Sequence, residues 1–552
     1  MPCRHAAAVT VGRGAGKSGR HALAVGEGGT VHGIQVILLL VVAATLVAAV
    51  ADRLRVPPPS LLVAVGVGVA LLPGVPPFQA DPQLISLVVL PPLLYASGED
   101  LSWPELRRTW RPVAVLSVGL VLASAAAVAA TTTLVTAIPA TLGFLLGAVL
   151  ASTDPVAVTA LGRRLALPQR MQVLVQAESL FNDATSLILF RIAVAVAVAG
   201  GHLSVSATAV EFLRLAGGGL LTGLAMTAVV ALVRWRTEDS VVETVVIVVA
   251  PYTAYAVAES FGASGVTAVV VVGVALGVLG PRLSSPTTRL HAAAVQGTTV
   301  FVLESVVFAL IGLTLPGLVR RLSAADQPWL LAGLAVTAVL LVVRIAWIFP
   351  LAVWRRWRSR RTGEEIESDL WRGAAVLSWA GARGVVPLAA ALSIPVTDAA
   401  GVPIPYRDLL QAIAATVIVI SLIVQGFTLA PLVRLTGLAV PAGEERAQLA
   451  RVRLRLANAA LDYVETRIDT ETIPVVVAER VRRSLHTRAA LIEQSSSADG
   501  LDEEYRELRR AVVAIQRAEL HRLTAAGQAS EAIRRRVERQ LDLEDARYSD
   551  DA

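Results

Sequence analysis

Four polar residues fall close together in the apolar stretch between residues 172 and 200, at consecutive positions 178–179 and 182–183: Glu178, Ser179, Asn182 and Asp183. On a helix, residues four apart share a face, so Ser179 and Asp183 form one polar pair and Glu178 and Asn182 form another on the neighbouring face. Carboxylate, hydroxyl and carbonyl oxygens suit hard cations, and a carboxylate can also carry a proton. The stretch therefore predicts a buried site for a cation or a proton.

Two further stretches combine a charged residue with residues that break helices. Thr153-Asp154-Pro155 ends one apolar run, and proline removes a backbone donor and pushes the residue before it out of helical geometry. Gly381-Ala382-Arg383-Gly384, followed by Pro387, interrupts another run. We expect both helices to break at mid-membrane, with Asp154 near positive half-helix N-termini and Arg383 near negative C-termini.

The elements that position these residues must be membrane-spanning helices. Apolar residues make up 55% of the 552 residues and charged residues only 17%, and the mean hydropathy is +0.64. A water-soluble protein of this composition could not cover its surface with polar groups, so we predict an all-α polytopic membrane protein. Cys3 is the only cysteine, which excludes disulfides within the chain and thiolate metal sites. No basic stripe with interleaved aromatic residues suggests nucleic acid as a partner.

Uncharged apolar runs of roughly 17–25 residues predict thirteen transmembrane helices. The predicted spans are roughly 34–51, 58–74, 82–98, 112–133, 138–161, 172–200, 208–233, 240–258, 264–280, 296–316, 329–354, 370–395 and 408–432. Loops after the odd-numbered spans hold seventeen arginines, and loops after the even-numbered spans hold four. By the positive-inside rule, the N-terminus lies outside and the C-terminal tail is cytoplasmic.

The spacing of the two predicted breaks indicates an internal repeat. They fall in spans five and twelve, which run in opposite directions because they are seven spans apart. Residues 34–200 and 240–432 then form two inverted six-helix repeats, joined by a linker helix at 208–233, and the two discontinuous helices cross at mid-membrane.

The two ends of the chain have a different composition. Residues 443–552 contain 19 Arg and 21 Asp or Glu, with apolar residues at helical spacing, and predict a soluble helical tail. The tail could be a solvated or self-associating appendage, or a regulatory sensor. Residues 1–33 are an N-terminal extension whose positive charge would lie on the outer side, so we expect translation to begin near Val31.

Four other charged residues, within predicted spans or just beyond the end of one, are considered as candidates. An ionisable residue at the bilayer centre costs about 2.5–3.5 kcal/mol, so each is a functional candidate. Arg344, Glu259 and Glu304 could each lie on an ion path or form a structural ion pair. Arg191 lies two turns beyond Asp183, and we expect its side chain to reach the outer surface.

These motifs, in their order and spacing, resemble those of the monovalent cation:proton antiporter-1 family, the bacterial sodium/proton exchangers. The residues that carry the resemblance are Thr153-Asp154-Pro155, Glu178-Ser179-Leu180-Phe181-Asn182-Asp183 and Trp379-Ala380-Gly381-Ala382-Arg383-Gly384, and the similarity covers about residues 31–435. It extends to the segments 90–95 and 308–313. The family implies exchange of Na⁺ (or Li⁺) for H⁺ across the plasma membrane, no cofactor, and a homodimer with separate dimer and core domains.

Carried over by motif, the resemblance implies a role for each site residue. Asp183 would be the shared carrier of cation and proton. Asp154, the carbonyl of Thr153 and Ser179 would be further Na⁺ ligands. If the two ions compete for one carboxylate, alternating access gives exchange without ATP, and a single carrier predicts electroneutral 1:1 exchange.

The resemblance also implies a supporting polar cluster of Glu178, Asn182 and Arg383. We expect the Arg383 guanidinium to offset exposed helix carbonyls and to pair with Glu178. Some relatives place an acidic ligand shortly after the Pro-Pro segment, where this chain has Ala96. Glu99-Asp100 follows within a turn, so a contribution of span three to ion binding is left open.

Three other activities are compatible with parts of the sequence. A K⁺/H⁺ antiporter of the same fold is the first alternative, because ligand types alone do not set the size of the site. A cation channel would show flux that never couples to protons. An intramembrane aspartyl protease could use two membrane aspartates, but neither Thr-Asp-Pro nor Asn-Asp matches the motifs of those enzymes.

Overall fold

The computed structural model describes residues 41–47, 58–72, 82–154, 167–198, 205–237, 239–324, 327–362, 370–397, 401–439, 442–470, 475–495, 501–526, 528 and 531–549. These residues are helical apart from their connections and one isolated bridge between Thr397 and Pro403. The predicted all-α class is therefore confirmed. The chain divides into two compact units, Met1–Ala439 and Val440–Ala552. The predicted N-terminal extension, with Val31, lies outside the described residues.

The first unit is built from apolar helices of very different lengths. In chain order they are α1 (Pro58–Ala70), α2 (Pro82–Val88), α3 (Leu90–Glu99), α4 (Trp103–Ala114), α5 (Val121–Val135), α6 (Ala140–Leu150), α7 (Gln169–Val198), α8 (Val205–Arg236), α9 (Ser240–Ser260), α10 (Gly265–Leu283), α11 (Pro286–Ala324), α12 (Trp329–Thr362), α13 (Leu370–Trp379), α14 (Val385–Leu392) and α15 (Arg407–Thr436). A π-helical segment, Val115–Leu120, joins α4 to α5. Residues 41–47 are also helical.

Seven helical stretches of the described chain are long and apolar enough to cross a membrane. They are Trp103–Val135, Arg170–Ala197, Ser206–Arg236, Ser240–Ser260, Pro286–Ser323, Trp329–Arg361 and Arg407–Thr436, and four shorter apolar helices accompany them. Each predicted span contains helical residues. The span predicted at 296–316 is part of a much longer helix, α11, which has 39 residues. The number thirteen and the inverted repeats stay predictions.

The predicted break in span twelve is present, and at the predicted break in span five the described residues show the end of a helix. α6 ends at Leu150 and residues 152–154 follow without helical structure, whereas Pro155 lies outside the described residues. α13 ends at Trp379 and α14 begins at Val385, which leaves residues 380–384 non-helical. The N–H of Asp154 donates to the carbonyl of Ala382 at 2.7 Å. The two interruptions are therefore in direct contact.

α7 carries the predicted site and is enclosed by other helices. It packs against α6, α4 and the π-helical segment, and it touches both half-helices, α13 and α14. Leu145 and Leu146 of α6 and Leu180 of α7 are almost completely buried. This apolar packing fixes the polar residues of α7 relative to the break after α6.

The second unit consists of four helices, α16 (Ala442–Thr470), α17 (Val475–Ser495), α18 (Leu501–Ala525) and α19 (Glu531–Ser549). α16 packs on α17, and α18 packs on α19. Val513, Leu520 and Leu541 form a small apolar core between the last two helices. The alternation of charged and apolar residues therefore produces amphipathic helices that pair through their apolar faces.

Candidate ion-binding site

Asp183 is a buried carboxylate on α7. Its side chain is 7% exposed, and its Oδ1 atom accepts a hydrogen bond from the hydroxyl of Ser152. Ser152 is completely buried in the non-helical segment after α6. The acidic group of α7 therefore faces the break, and its partner is a neutral hydroxyl.

Thr153 binds two residues of α7. The hydroxyl of Ser179 donates to the carbonyl of Thr153. Asn182 Nδ2 donates to Thr153 Oγ1 at 2.7 Å, and the Thr153 N–H donates to Asn182 Oδ1 at 3.4 Å. All three residues are buried. The structure thus brings together Thr153, Ser179 and Asn182, which the sequence had placed in two separate motifs.

The predicted pairing of Glu178 with Asn182 is wrong. Successive residues of a helix are rotated by roughly 100°, so position 182 lies between positions 178 and 179 around the axis. Asn182 can face either side, and here it faces Thr153. Ser179, Asn182 and Asp183 form one polar face toward the break, while Glu178 faces a different set of helices.

Asp154 lies beside the N-terminus of α14. A methyl group on Gly384, the N-cap residue of α14, would overlap the Asp154 carboxylate, so the close approach requires glycine. The unpaired N–H groups at a helix N-terminus favour an anion. Asp154 also interacts electrostatically with Asp183 and with Glu304 of α11. The geometry agrees with the predicted position of Asp154 at a half-helix N-terminus.

Arg383 donates hydrogen bonds to backbone carbonyls at the two breaks. Its Nε donates to the carbonyl of Leu150 at 3.1 Å, and its Nη1 donates to the carbonyl of Gly381. Its backbone N–H donates to Ser421 Oγ at 3.0 Å. The guanidinium thus lies at the C-terminal ends of α6 and α13, as expected from their dipoles.

Arg383 does not form the predicted pair with Glu178. Both oxygens of Glu178 bind Arg344 of α12, with Nη1···Oε1 at 2.5 Å and Nη2···Oε2 at 3.1 Å. Arg344 and Glu178 are 2% and 1% exposed. Arg344 Nε also donates to the carbonyl of Leu377 in the last turn of α13, at 3.1 Å. Arg344 thus forms a bidentate structural pair.

The remaining charged candidates from the sequence are Glu259, Arg191 and Glu304. Glu259 binds Arg191 at 2.5 Å, with each side chain 30% exposed, and its Oε1 accepts the Gly265 N–H at 3.0 Å. Arg191, which we expected to reach the outer surface, also joins α7 to α9 through this pair. Glu304 is half-buried and interacts electrostatically with Asp154.

The carboxylate that follows the Pro-Pro segment belongs to a different polar cluster. Glu99, at the end of α3, interacts with Gln296 of α11 and with Arg234 of α8. Arg234 in turn binds Glu243 of α9 at 3.0 Å, and both are buried. Neither Glu99 nor Ala96 is among the contacts of Asp183.

With the geometry described, comparison with known proteins gives the family. A family model described as "Sodium/hydrogen exchanger, transmembrane" matches residues 38–435. The chain belongs to this family. Members of the sodium/hydrogen exchanger family are transporters, so this exchanger is a multi-pass membrane transporter and not an enzyme.

Individual relatives of the exchanger agree with this assignment. An uncharacterized Na⁺/H⁺ exchanger of Mycobacterium tuberculosis is 32% identical over 542 residues, covering 96% of this chain and 98% of that protein. A sodium, potassium, lithium and rubidium/H⁺ antiporter of Bacillus pumilus is 30% identical over 384 residues, covering 67% of this chain and 56% of that protein. The solved structure of the sodium proton antiporter MjNhaP1 from Methanocaldococcus jannaschii has the same fold, with a TM-score of 0.59 at 19% identity. The match covers 73% of this chain and 98% of the MjNhaP1 chain.

Several hydroxyl groups of the exchanger were missed by sequence reasoning. Besides Ser152, they are Ser186, which donates to the Ala148 carbonyl at 2.5 Å, and Ser117 of the π-helical segment, which donates to the Glu178 carbonyl at 3.3 Å. Serine in an apolar helix commonly bonds its own backbone, so its presence alone predicts no site. The available signal was position: Ser152 precedes Thr153, and Ser186 lies one turn from Asp183.

The exchanger's candidate site is built from mixed oxygen donors. Among the described residues, no three His, Cys, Asp or Glu side chains are arranged to share a metal ion. The oxygens near the two breaks come instead from the carboxylates of Asp183 and Asp154, the hydroxyls of Ser152 and Ser179, and the Thr153 carbonyl. Such a set suits a hard cation, and a single carboxylate in it can take a proton instead.

Proposed function

We propose that this exchanger transports Na⁺ (or Li⁺) in exchange for H⁺ across the plasma membrane, with Asp183 as the carrier of both ions. The observation that carries the proposal is the partner of Asp183, which is the neutral hydroxyl of Ser152. Among the ion pairs of the described residues, Arg344 binds Glu178, and Arg383 binds carbonyls. A buried carboxylate without a fixed cation costs several kcal/mol, so a mobile cation or a proton neutralises it.

The cation binds between α7 and the break after α6. We infer that Asp183, Asp154, the Thr153 carbonyl and Ser179 supply its oxygen ligands, and that Asn182 positions Thr153. Ser179 then gives up its hydrogen bond to the Thr153 carbonyl when the ion is bound. Arg383 and the Glu178–Arg344 pair hold the two breaks in place. No resident cofactor is needed, because both reactants are transported ions.

Coupling follows from the cost of moving an unneutralised charge. The empty, ionised site carries a buried negative charge and does not cross the membrane. A bound cation or proton neutralises the charge of Asp183, while the N-terminus of α14 offsets the charge of Asp154 in every state. The loaded site can therefore be exposed to either side in turn. Alternating exposure of one site to two competing ions is exchange, and the proton gradient supplies its energy.

The choice of cation is the main open point within this proposal. The Bacillus pumilus relative is named for sodium, potassium, lithium and rubidium, so K⁺/H⁺ exchange by the same site is the alternative. Proteoliposomes loaded with a pH-sensitive dye and pulsed with Na⁺, Li⁺ or K⁺ separate the two. A response to Na⁺ and Li⁺ but not K⁺ supports the proposal. Cation flux without any proton movement would instead indicate a channel.

The test of the carrier is Asp183→Asn. Asparagine has nearly the same shape but cannot bind a proton, so we expect proton flux to fall to the level of empty vesicles. The matched control is Asp239→Asn, because Asp239 caps α9 by accepting the Val241 N–H at 2.8 Å and lies outside the site. Na⁺-driven proton flux in Asp183→Asn would overturn the assignment.

Asp154 has a different expected effect. Asp154→Asn removes a ligand charge but leaves the proton carrier, so we expect the Na⁺ concentration for half-maximal flux to rise strongly. Turnover at saturating Na⁺ is expected to persist. Equal half-maximal concentrations in this variant and the wild type would remove Asp154 from the ligand set.

The orientation and assembly are part of the proposal. The arginine distribution supports an outside N-terminus and a cytoplasmic tail, and the family resemblance supports a homodimer. Labelling of single cysteines from one side of the membrane, in a Cys3→Ser background, tests the orientation. The chain has no other cysteine, so each label reports one position.

A further inference from the structure

α16 of the second unit has two apolar stripes on different faces. The first is buried where α16 packs on α17, and its residues Ala457 and Leu461 are 5% and 8% exposed. The second is open to solvent, with Leu449, Val452 and Leu456 at 47%, 49% and 66% exposed. The exposed stripe of α16 consists of Leu449, Val452, Leu456, Ala459 and Tyr463.

The spacing of the exposed stripe is that of a coiled-coil seam. Its residues follow one another at alternating steps of three and four, so 449, 456 and 463 are a positions and 452 and 459 are d positions of a heptad. At 1.5 Å per residue the stripe is about 21 Å long. A contiguous exposed apolar row on a helix that already packs through its other face indicates a second partner. The spacing predicts that this partner is another helix.

A second copy of α16 fits the exposed stripe when the two helices run in opposite directions. In an antiparallel pair, a positions of one helix meet d positions of the other. One register places Leu456 against Ala459 of the second copy, and Val452 against Tyr463 of the second copy. By symmetry, each contact occurs twice. A larger side chain meets a smaller one in each of these layers, which is the arrangement that fills a core without voids.

The charges beside the stripe favour the same antiparallel register. Arg455 and Asp462 directly precede a positions, and both are exposed. In this register Arg455 lies beside Asp462 of the second copy, and symmetry gives two such pairs. A parallel pair would instead place Arg451, Arg453 and Arg455 of both copies at the same level, where like charges repel. The stripe is therefore complementary to itself in one orientation.

We propose that two copies of this exchanger pair through the exposed stripes of α16 as an antiparallel, two-stranded coiled coil. A stripe of about two heptads is marginal on its own, but α16 is already folded against α17, so pairing does not have to order it. Two copies in one membrane also meet at a high effective concentration. The proposal concerns the tail, so it does not rest on the choice of cation or on Asp183 as the carrier.

Disulfide cross-linking between two full-length copies tests the pairing. Each copy carries Cys3→Ser, so the introduced cysteines are the only ones, and copies with different affinity tags are co-expressed. We expect V452C in one copy and Y463C in the other to form a disulfide rapidly on mild oxidation. V452C in both copies should react slowly, because the antiparallel register separates these positions by 11 residues, about 16 Å. N458C in both copies is a second control, since Asn458 is exposed on a different face of α16 from the stripe.

Exchanging the two charges tests the register. R455D replaces two attractions between the copies by two repulsions, so the rate of V452C–Y463C disulfide formation should fall about fivefold or more. Adding D462R restores opposite charges at both places, and R455D/D462R should recover the rate. E465R is the matched control, because Glu465 is exposed on α16 away from the stripe, and it should leave the rate unchanged.

An exposed apolar row on α18 is the rival occupant of the stripe. Leu508, Val512 and Ile515 are 65%, 37% and 69% exposed. With L456C/V512C in one chain, we expect no disulfide within that chain. Such an internal disulfide, in place of the link between copies, would assign the stripe to α18 and overturn the proposal.

Three other results would also overturn the proposal. The first is the absence of a disulfide between V452C and Y463C, which is expected if a lipid surface covers the stripe. The second is an equally fast disulfide between two copies of V452C, which would show parallel pairing. The third is a reaction of R455D/D462R that is no faster than that of R455D. None of these readouts measures transport, so failure of the proposed Na⁺/H⁺ exchange would leave this test unaffected.

Discussion

Glu178 of α7 and Arg344 of α12 are bound to each other through both carboxylate oxygens, although 166 residues separate them in the chain. The pair is almost completely buried. Arg344 also donates its Nε–H to the Leu377 carbonyl, so a single guanidinium joins α12, α7 and α13. Glu178 does not face the candidate ion site. Its pair with Arg344 nevertheless fixes the position of α7, the helix that carries Asp183.

Breaking this pair should lower stability more than breaking any exposed pair. Glu178→Gln or Arg344→Gln leaves a buried charge without a partner, which costs about 3–5 kcal/mol. We expect a clearly lower melting temperature in detergent for each single variant. The double variant Glu178→Gln/Arg344→Gln should recover part of the loss, because neither residue is then a buried charge that has lost its partner.

The matched control is the pair of Arg321 with Asp408, whose side chains are 55% and 40% exposed. An exposed pair contributes roughly 0–1 kcal/mol, so Arg321→Gln should melt nearly like wild type. If Arg344→Gln also melted like wild type, the structural role of the buried pair would be refuted.

Ser152 should matter for cation affinity. A hydrogen bond to a charged group contributes about 1.5–3 kcal/mol, so Ser152→Ala should raise the Na⁺ concentration for half-maximal flux about tenfold or more. Ser186→Ala is the control, because that hydroxyl bonds the Ala148 carbonyl and not the carboxylate. Proton flux, followed with a pH-sensitive dye over a range of Na⁺ concentrations, gives the half-maximal Na⁺ concentration of both variants. Equal effects of the two substitutions would show that Ser152 acts only through packing.

Gly384 should tolerate no side chain. An alanine methyl group there would occupy the space of the Asp154 carboxylate, so Gly384→Ala must displace a proposed ligand. We expect strongly reduced Na⁺-driven flux from a protein that still reaches the membrane. Gly217→Ala adds the same methyl group where nothing lies within 4 Å, and it should transport normally. Normal flux in Gly384→Ala would contradict the described approach of Asp154 to α14.

Arg383 should be needed for stability as well as activity. Arg383→Ala leaves the Leu150 and Gly381 carbonyls without their donor, and an unsatisfied buried group costs about 1–3 kcal/mol. We expect a lower melting temperature together with lost transport. Arg383→Lys should rescue little, because one ammonium does not reproduce the geometry of a guanidinium that bonds two carbonyls. A variant that melts like wild type but does not transport would indicate direct contact with the ion.

Transport should not depend on voltage. Asn182 cannot carry a proton, and Asp154 beside the N-terminus of α14 is expected to stay ionised, so one proton at Asp183 replaces one monovalent cation. A net charge would add about 2.3 kcal/mol per 100 mV. In proteoliposomes, exchange should balance when the cation and proton gradients are equal, at any voltage set with K⁺ and valinomycin. If K⁺ proves to be a substrate, another ion must set the voltage. A balance point that moves with voltage would show a second proton carrier.

Local chemistry explains what could be predicted from the sequence. Composition predicts an all-helical membrane protein, and the breaks after Leu150 and Trp379 follow from prolines and glycines that act on their immediate neighbours. These features depend on a few adjacent residues and on the cost of burying polar groups. The sequence did not predict the approach of Asn182 to Thr153, and it linked Ser179 to Thr153 only through the family resemblance.

Contacts between distant helices could not be predicted in the same way. Both Arg344 and Arg383 are charged residues in apolar spans, and only packing decides which of them reaches Glu178. Proline was also an unreliable guide to helix ends, since Pro251 and Pro350 lie inside α9 and α12. In a membrane protein, neighbouring helices and hydroxyl groups satisfy the backbone groups that such prolines free.

The long-range bonds around the two breaks also bear on biogenesis. Arg383 reaches the Leu150 carbonyl across 233 residues of chain, and Arg344 reaches Glu178 across 166. A nascent polypeptide that has inserted α7 already contains Asp183, but neither arginine has yet been synthesised. The proposed ion site is therefore complete only after the segment 380–384, which carries Arg383, has been inserted. With Asp183 as the proposed carrier, we expect products of interrupted translation that stop short of α12 not to transport protons, and so not to dissipate the proton gradient of the cell.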